Sequence, residues 1–91
     1  MNLRPRFHLA FPVKDLDSTR SFYVGLLECN TGRESESWID FDLYGHQIVA
    51  HLSPNDCQEL DTNIVDEDNI PSRHFGVILD WNQWEELHNK L

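Results

Sequence analysis

A strand followed by a helix occurs twice in this chain, and this repetition constrains the fold more than any other feature of the sequence. The first copy begins at residues 8–11 (HLAF), passes Asp15 and continues into a helical pattern. The second copy begins at residues 74–77 (HFGV), passes Asp80 and continues in the same way. Each copy places a small residue two positions after its histidine, on the same face of the strand. Matched units of this kind predict a duplicated architecture.

The first copy extends into a longer module through the alternation of apolar and polar residues. Alternation with a period of two is typical of strands, and apolar residues at three- and four-residue spacing are typical of helices. Either Asp15 or Asp17 would cap the helix at its start, and Gly25 lies where a glycine can end it. The expected elements are strands over 6–13, 31–35, 38–43 and 47–52 and a helix of about three turns over 16–27, which form a β-α-β-β-β module.

The second copy stops after one strand and one helix. Residues 74–79 alternate as a strand does, and Asp80 with Gln83 forms the capping-box pattern of a helix start. The acidic stretch 53–72 predicts a connecting loop that joins two units or covers a site, because long structureless loops are uncommon inside a compact domain. We therefore expect one domain, with a first module over 1–53, an acidic linker over 54–72 and the start of a second module over 73–91.

The charge balance and the cysteine content exclude several classes of function. A formal net charge of −9 argues against binding to nucleic acid or to an anionic membrane, since both need clustered Lys and Arg. The sequence has neither an apolar run of roughly 20 residues that would cross a membrane nor the pattern of a signal peptide. Cys29 and Cys57 make no disulfide framework, so a reducing, cytoplasmic location is expected.

Three histidines occupy strand positions from which a side chain can hold a metal ion. His8 and His74 each share a strand face with a small residue, which leaves room for a ligand, and His51 ends its strand. Imidazole suits divalent iron, zinc, copper and nickel, and two histidines with one carboxylate suit non-haem Fe(II). Ligands on separate strands leave no short motif, so the spacing alone is a weak signal. A histidine on a strand, taken alone, is also often a structural or an exposed residue.

Other polar and aromatic residues are expected to have structural roles. His46 lies in a turn and His88 on a helix flank, where structural histidines are common. Asp40 and Asp42 alternate along a strand and would face solvent. The apolar stripe of the second helix is expected to pack in the core or against another subunit, and it consists of Trp81, Trp84 and Leu87.

The stretch 7–27, FHLAFPVKDLDSTRSFYVGLL, resembles the opening of the vicinal oxygen chelate superfamily, which includes glyoxalase I, bleomycin-resistance proteins and type I extradiol dioxygenases. The stretches 37–54 (SWIDFDLYGHQIVAHLSP) and 71–87 (PSRHFGVILDWNQWEEL) resemble a small subgroup described as extradiol-type dioxygenases. The resemblance implies an α+β fold in which paired βαβββ modules curl their sheets around a metal ion. Here one such module would be followed by the first strand and helix of a second, apparently truncated one.

The same resemblance implies a set of site residues. His8, His51 and His74 match the metal-ligand positions of the family, and a carboxylate on the last strand of the second module would complete the set. The chain ends before that strand, so the resemblance implies either an incomplete metal site or a homodimer in which a second chain rebuilds part of the cavity. Trp38 and Tyr44 are the candidate substrate-binding residues, and no catalytic residue is assigned. The expected cofactor is a divalent metal, Fe(II) ahead of Zn, Mn or Ni.

The resemblance leaves three functions open. The first is a metal-dependent protein that performs extradiol-type ring cleavage, or a glyoxalase-like lyase reaction, on a small molecule with neighbouring oxygens. The second is a metal-free, bleomycin-resistance-type protein that sequesters a ligand. The third is a truncated, inactive module that only folds and dimerises. None of the three involves nucleic acid or a membrane as partner.

Overall fold

The computed structural model of the chain describes residues 5–57, 62–65, 68–71 and 74–91, and its main feature is a mixed four-stranded sheet. The expected α+β class is confirmed. The elements are strand β1 (His8–Val13), helix α1 (Leu16–Arg20) with a π-helical continuation (Ser21–Leu26), strands β2 (Asn30–Glu34), β3 (Trp38–Leu43) and β4 (His46–Leu52), a 3₁₀ turn (Pro54–Asp56), strands β5 (Thr62–Val65) and β6 (Asp68–Pro71), and helix α2 (Trp81–Lys90).

The strand order β1-β4-β3-β2 places the first strand beside the last one of the module. β1 runs parallel to β4, with His8 opposite Gln47 and Val13 opposite Leu52. β4, β3 and β2 are antiparallel neighbours. A parallel neighbour needs a crossover connection, which α1 and the two intervening strands provide.

One face of this sheet forms the core. Ile39 and Phe41 on β3 are 0% and 1% exposed, and Ile48 and Ala50 on β4 are buried beside them. The Tyr23 ring, from the helical segment, stacks on Phe41 with ring centroids 5.0 Å apart. The predicted alternation of β3 and β4 is thus confirmed, because the inward-facing set is the one that packs under the helix.

The β3–β4 hairpin closes through a two-residue turn. Tyr44 and Gly45 both have positive φ, 51° and 87°, as the tight turn that matches strand twist requires. The Gly45 N–H donates to Asp42 Oδ1 at 2.7 Å and holds the turn closed.

Both predicted helix starts are confirmed. The Ser18 N–H donates to Asp15 Oδ1 at 2.7 Å, so Asp15 rather than Asp17 is the N-cap of α1. At α2 the Gln83 N–H donates to Asp80 Oδ1 at 2.8 Å, and the Asp80 N–H donates to Gln83 Oε1 at 3.1 Å. This reciprocal pair is the expected capping box.

The expectation of a three-turn α-helix over 16–27 is wrong. After α1 the helix widens to π geometry, in which the Leu27 N–H donates to Phe22 O at 3.0 Å, five residues back. Gly25 lies inside this segment, and the left-handed residue that follows its end is Glu28, with a φ of 58°. The wider turn keeps the Tyr23 ring on the core, so side-chain packing outweighs helical regularity here.

The acidic connection and the second strand also differ from expectation. β5 and β6 form a two-stranded antiparallel sheet within the stretch that was predicted to be a loop. The loop prediction is therefore wrong for these two strands. Residues 74–80 form no strand, although their sequence alternates. A strand is stabilised by a ladder of hydrogen bonds to a neighbouring strand, and the described structure contains no such ladder for residues 75–80. The division into modules and linker stays a prediction.

An ion pair joins α2 to the first module. Lys90 Nζ lies 2.6 Å from Glu28 Oε2 on the surface of the molecule. The hydrogen bond from Lys90 and its charge hold the pKa of the Glu28 carboxyl below its ordinary value.

No helix in the described ranges is long and apolar enough to cross a membrane.

The core assignment makes a stability prediction. Ile39→Val removes one buried methylene and is expected to lower the free energy of unfolding by about 1 kcal/mol, because the surrounding sheet cannot close the gap. Ile78→Val is the matched control, since Ile78 is 100% exposed. The measurement is urea unfolding of the three proteins. Equal losses in both variants would contradict the described core.

The ion pair makes a prediction about pH. A carboxyl whose pKa is lowered by folding contributes stability above its unfolded pKa and loses it as the pH falls through the folded value. Attachment of α2 should therefore weaken at the acidic end of the glutamate titration range, and only slightly, because the pair is exposed. Glu28→Gln should remove this dependence and Glu85→Gln should keep it. Amide exchange of α2 measures the effect, and an acid response that survives Glu28→Gln would refute the assignment.

Candidate functional site

The face of the sheet opposite the core, which we call the open face, carries the predicted site residues of β1, β3 and β4. Alternation sends every second side chain of these strands to this side. The registers align them in three rows across the sheet: His8, Gln47 and Asp42; Ala10, Val49 and Asp40; Pro12, His51 and Trp38.

The open face does not bring His8 and His51 together. His8 lies opposite Gln47, whereas His51 lies opposite Pro12, four residues further along the same strand pair. At about 3.3 Å per residue the two positions are about 13 Å apart. The His51 imidazole is therefore too far from His8 to share a ligand site with it in this sheet. The polar side chain beside His8 is the Gln47 amide.

His74 and Tyr44 lie on a different surface from His8. Both line a cleft of about 870 Å³ that adjoins β1, the π-helical segment and residues 74–79. We call it the aromatic cleft. Trp38 remains on the open face, so the two predicted substrate-binding residues do not share one pocket. The lining of this cleft includes Leu9, Phe11, Phe22, Tyr23, Phe75 and Val77.

The metal-ligand set expected from the sequence is not assembled in the described part of one chain. No three His, Cys, Asp or Glu side chains there lie close enough to hold a metal ion. His8 with the neighbouring Gln47 lies on one surface and His74 on another, so these donors do not form a three-ligand site. Whether these residues bind metal in an assembly stays a prediction.

A carboxylate that the sequence pattern assigned to solvent is buried at the centre of the open face. Asp40 is 6% exposed, so the expected solvated position is wrong for this residue. Arg33 Nε approaches Asp40 Oδ2 at 3.7 Å, and its guanidinium lies 5.9 Å from the centroid of the Trp38 ring. A Cβ at Gly32 would lie 3.3 Å from Asp40 Cβ, which shows how closely β2 covers the carboxylate. Strand alternation alone holds no signal for this close approach.

The cysteine thiols show no sign of activation. Cys29 is buried against the core, and burial raises the pKa of its thiol. Cys57 donates from Sγ to Ser53 O at 3.5 Å. A buried thiol with a raised pKa is a poor nucleophile.

The structural roles expected for His46 and His88 are confirmed. His46 Nδ1 accepts a hydrogen bond from the Phe7 N–H at 2.9 Å, and the Gln47 N–H donates to Phe7 O at 2.9 Å. These bonds tie the start of β1 to β4. His88 meets Trp84 edge to face, with ring centroids 4.9 Å apart.

The His46 contact makes a testable prediction. His46→Ala removes the acceptor for the Phe7 N–H and should lower the free energy of unfolding by about 1 kcal/mol or less, since water can replace it in part. His46→Asn keeps an acceptor atom near the Nδ1 position and should retain most of the stability. Thermal unfolding measures both variants, and an alanine variant as stable as the asparagine variant would refute the role.

Comparison with known proteins supports the architecture. Neither a protein-family model nor a curated protein matches this chain. A crystal structure of a glyoxalase/bleomycin resistance protein/dioxygenase from Alicyclobacillus acidocaldarius is 33% identical, with a TM-score of 0.73 over 94% of this chain. The structure of an integron cassette protein from the mobile metagenome of V. cholerae is 18% identical, with a TM-score of 0.58 over 99% of this chain and 66% of its own.

The chain spans 60% of the length of the Alicyclobacillus protein. The second similarity concerns the fold alone, and the first also supports the superfamily that the sequence resembles. The mixed four-stranded sheet with its helices matches the α+β module of the glyoxalase/bleomycin resistance/dioxygenase fold.

Proposed function

We propose that the chain belongs to the glyoxalase/bleomycin resistance/dioxygenase superfamily and binds a small molecule with neighbouring oxygen atoms on the open face. The observation that carries this proposal is the parallel β1–β4 pair, which sets His8 beside Gln47 on one surface. The similarity to the Alicyclobacillus structure supports the same assignment. The free cysteines fit the cytoplasmic location that belongs to the proposal.

The open face offers the chemistry that such a ligand needs. The His8 ring and the Gln47 amide both have N–H groups that can donate to neighbouring oxygens. One row further on, the Asp40 carboxylate is buried next to Arg33, so the half-buried Trp38 ring in the third row is the next group left for a ligand. A ligand with two oxygens at one end and an apolar body therefore has complementary groups along the strands.

Metal dependence is the finer part of the proposal. His8, His51 and His74 are the proposed ligands of a divalent cation, with Fe(II) ahead of Zn, Mn or Ni. Because one described chain does not gather three donors, this version requires donors from a second copy. Extradiol-type ring cleavage, or a glyoxalase-like reaction, is proposed only for the metal-loaded assembly.

Exposed apolar residues near the C-terminus support a homodimer. Ile78 is 100% exposed, Trp81 69% and Trp84 48%, and the two indole rings stack on each other with centroids 5.2 Å apart. Trp81 and Trp84 are thus not core residues in the described structure. Large exposed apolar side chains next to one another are typical of interaction surfaces.

Metal-free ligand binding is the second candidate function. It is favoured by the separation of His8 from His51, since hydrogen bonds to a ligand do not require three converging donors. Such a protein would sequester its ligand on the open face without a reaction.

Anaerobic titration of metal-free protein with Fe(II) and Zn(II) tests the metal version. We expect specific binding that His8→Ala weakens at least about tenfold, since even the loss of outer-shell partners costs this much. His88→Ala is the matched control, because that histidine packs on Trp84. Sedimentation at micromolar concentration should show a dimer.

Each outcome separates the candidates. Binding that is equal in His8→Ala and in the wild-type protein would refute His8 as a ligand. Binding of catechol to the metal-free protein, weakened by His8→Ala, would support the metal-free function instead. A strictly monomeric protein would contradict the homodimer.

A further inference from the structure

We infer that the aromatic cleft is a second small-molecule site, which takes a planar aromatic ligand of one or two fused rings with a single polar substituent. The cleft holds about 870 Å³, within the range of pockets that enclose drug-sized ligands. His8, His51 and Trp38 are not part of its lining, whereas Leu9 and Phe11, which point to the core side of β1, are. Ala10 and Pro12 of the open face also belong to the lining, so the two surfaces adjoin along β1 but differ in their other residues.

The shape of the ligand follows from the rings in the wall. Phe11 lies between two other aromatic rings, with centroid distances of 5.9 Å to Tyr23 and 5.1 Å to Phe75. Phe22 meets Tyr23 edge to face at 5.0 Å. The rings come from β1, the π-helical segment and residues 74–79. A planar ring system can stack against such a wall, because aromatic pairs favour offset and edge-to-face contacts.

Two rings of the cleft wall remain partly exposed in the described part of the structure. Phe22 is 46% exposed and Phe75 40%, although both line the cleft. Burial of such surface by an apolar ligand is favourable. The pocket lining is mostly apolar, and its polar side chains include Tyr44 and Asp56, which would contact the polar substituent.

Glycine positions provide a matched pair of variants. Gly76 lines the cleft, and a Cβ built there meets nothing within 4 Å. Gly25 has the same open space and is not part of the lining. Neither has a positive φ, so a leucine introduces no backbone strain at either position. Gly76→Leu therefore places a side chain at the cleft, and Gly25→Leu makes the same change elsewhere.

The experiment is a fluorescence titration of the full chain with 2-naphthol. We expect saturable one-to-one binding that Gly76→Leu weakens at least tenfold and Gly25→Leu leaves unchanged. His8→Ala should bind naphthol as the wild-type protein does, which distinguishes this site from the open face. No binding up to the solubility limit, or equal binding by Gly76→Leu, would overturn the inference.

A second measurement does not depend on the folding of any variant. In the wild-type protein, naphthol should shift the amide resonances of Phe22 and Phe75 and leave those of Trp38 and His51 in place. Shifts confined to the open face would overturn the inference. So would dissociation of a dimer by naphthol at the same concentration as binding, because the cleft would then belong to a second copy of the chain.

Discussion

The parallel pairing of β1 with β4 is the constraint on which the rest of the structure depends. It brings the first strand of the module beside the last, and it can form only because the helical segment crosses the sheet between them. The register of this pair decides which residues share a row. Ile48 and Ala50 thereby face the core, while Gln47, Val49 and His51 face the other side.

Two surfaces with different chemistry result from this pairing. The open face carries imidazole, amide and carboxylate groups, with Asp40 held at its centre beneath Arg33. The aromatic cleft adjoins β1, which is an edge strand of the sheet among the described residues, and apolar rings there are partly exposed. The two surfaces meet at Ala10 and Pro12 of β1, which line the cleft and also belong to the open face.

Residues 74–91 repeat the sequence pattern of the first module but form only its helix in the described structure. The second copy keeps its helix cap, because the side chains of Asp80 and Gln83 each accept a hydrogen bond from the other's backbone N–H, only three residues away. Its strand residues form no ladder in the described structure, because a ladder depends on partners distant in sequence. Phe75 rests on Phe11, and Ile78 and Trp81 are exposed.

The sequence by itself determined the α+β class, the strands of the first module, a helix cap at Asp15 or Asp17 and the capping box at Asp80. These follow from short-range periodicity and from hydrogen bonds that span few residues. Only the tertiary structure decided the π-helical widening, the β5–β6 hairpin, the burial of Asp40 and the distance between His8 and His51. The π-helical widening and the distance between His8 and His51 depend on packing or register between segments far apart in the chain. The β5–β6 pair and the burial of Asp40 depend on pairing between neighbouring strands. The alternation of residues along one strand carries no information about such pairing or packing.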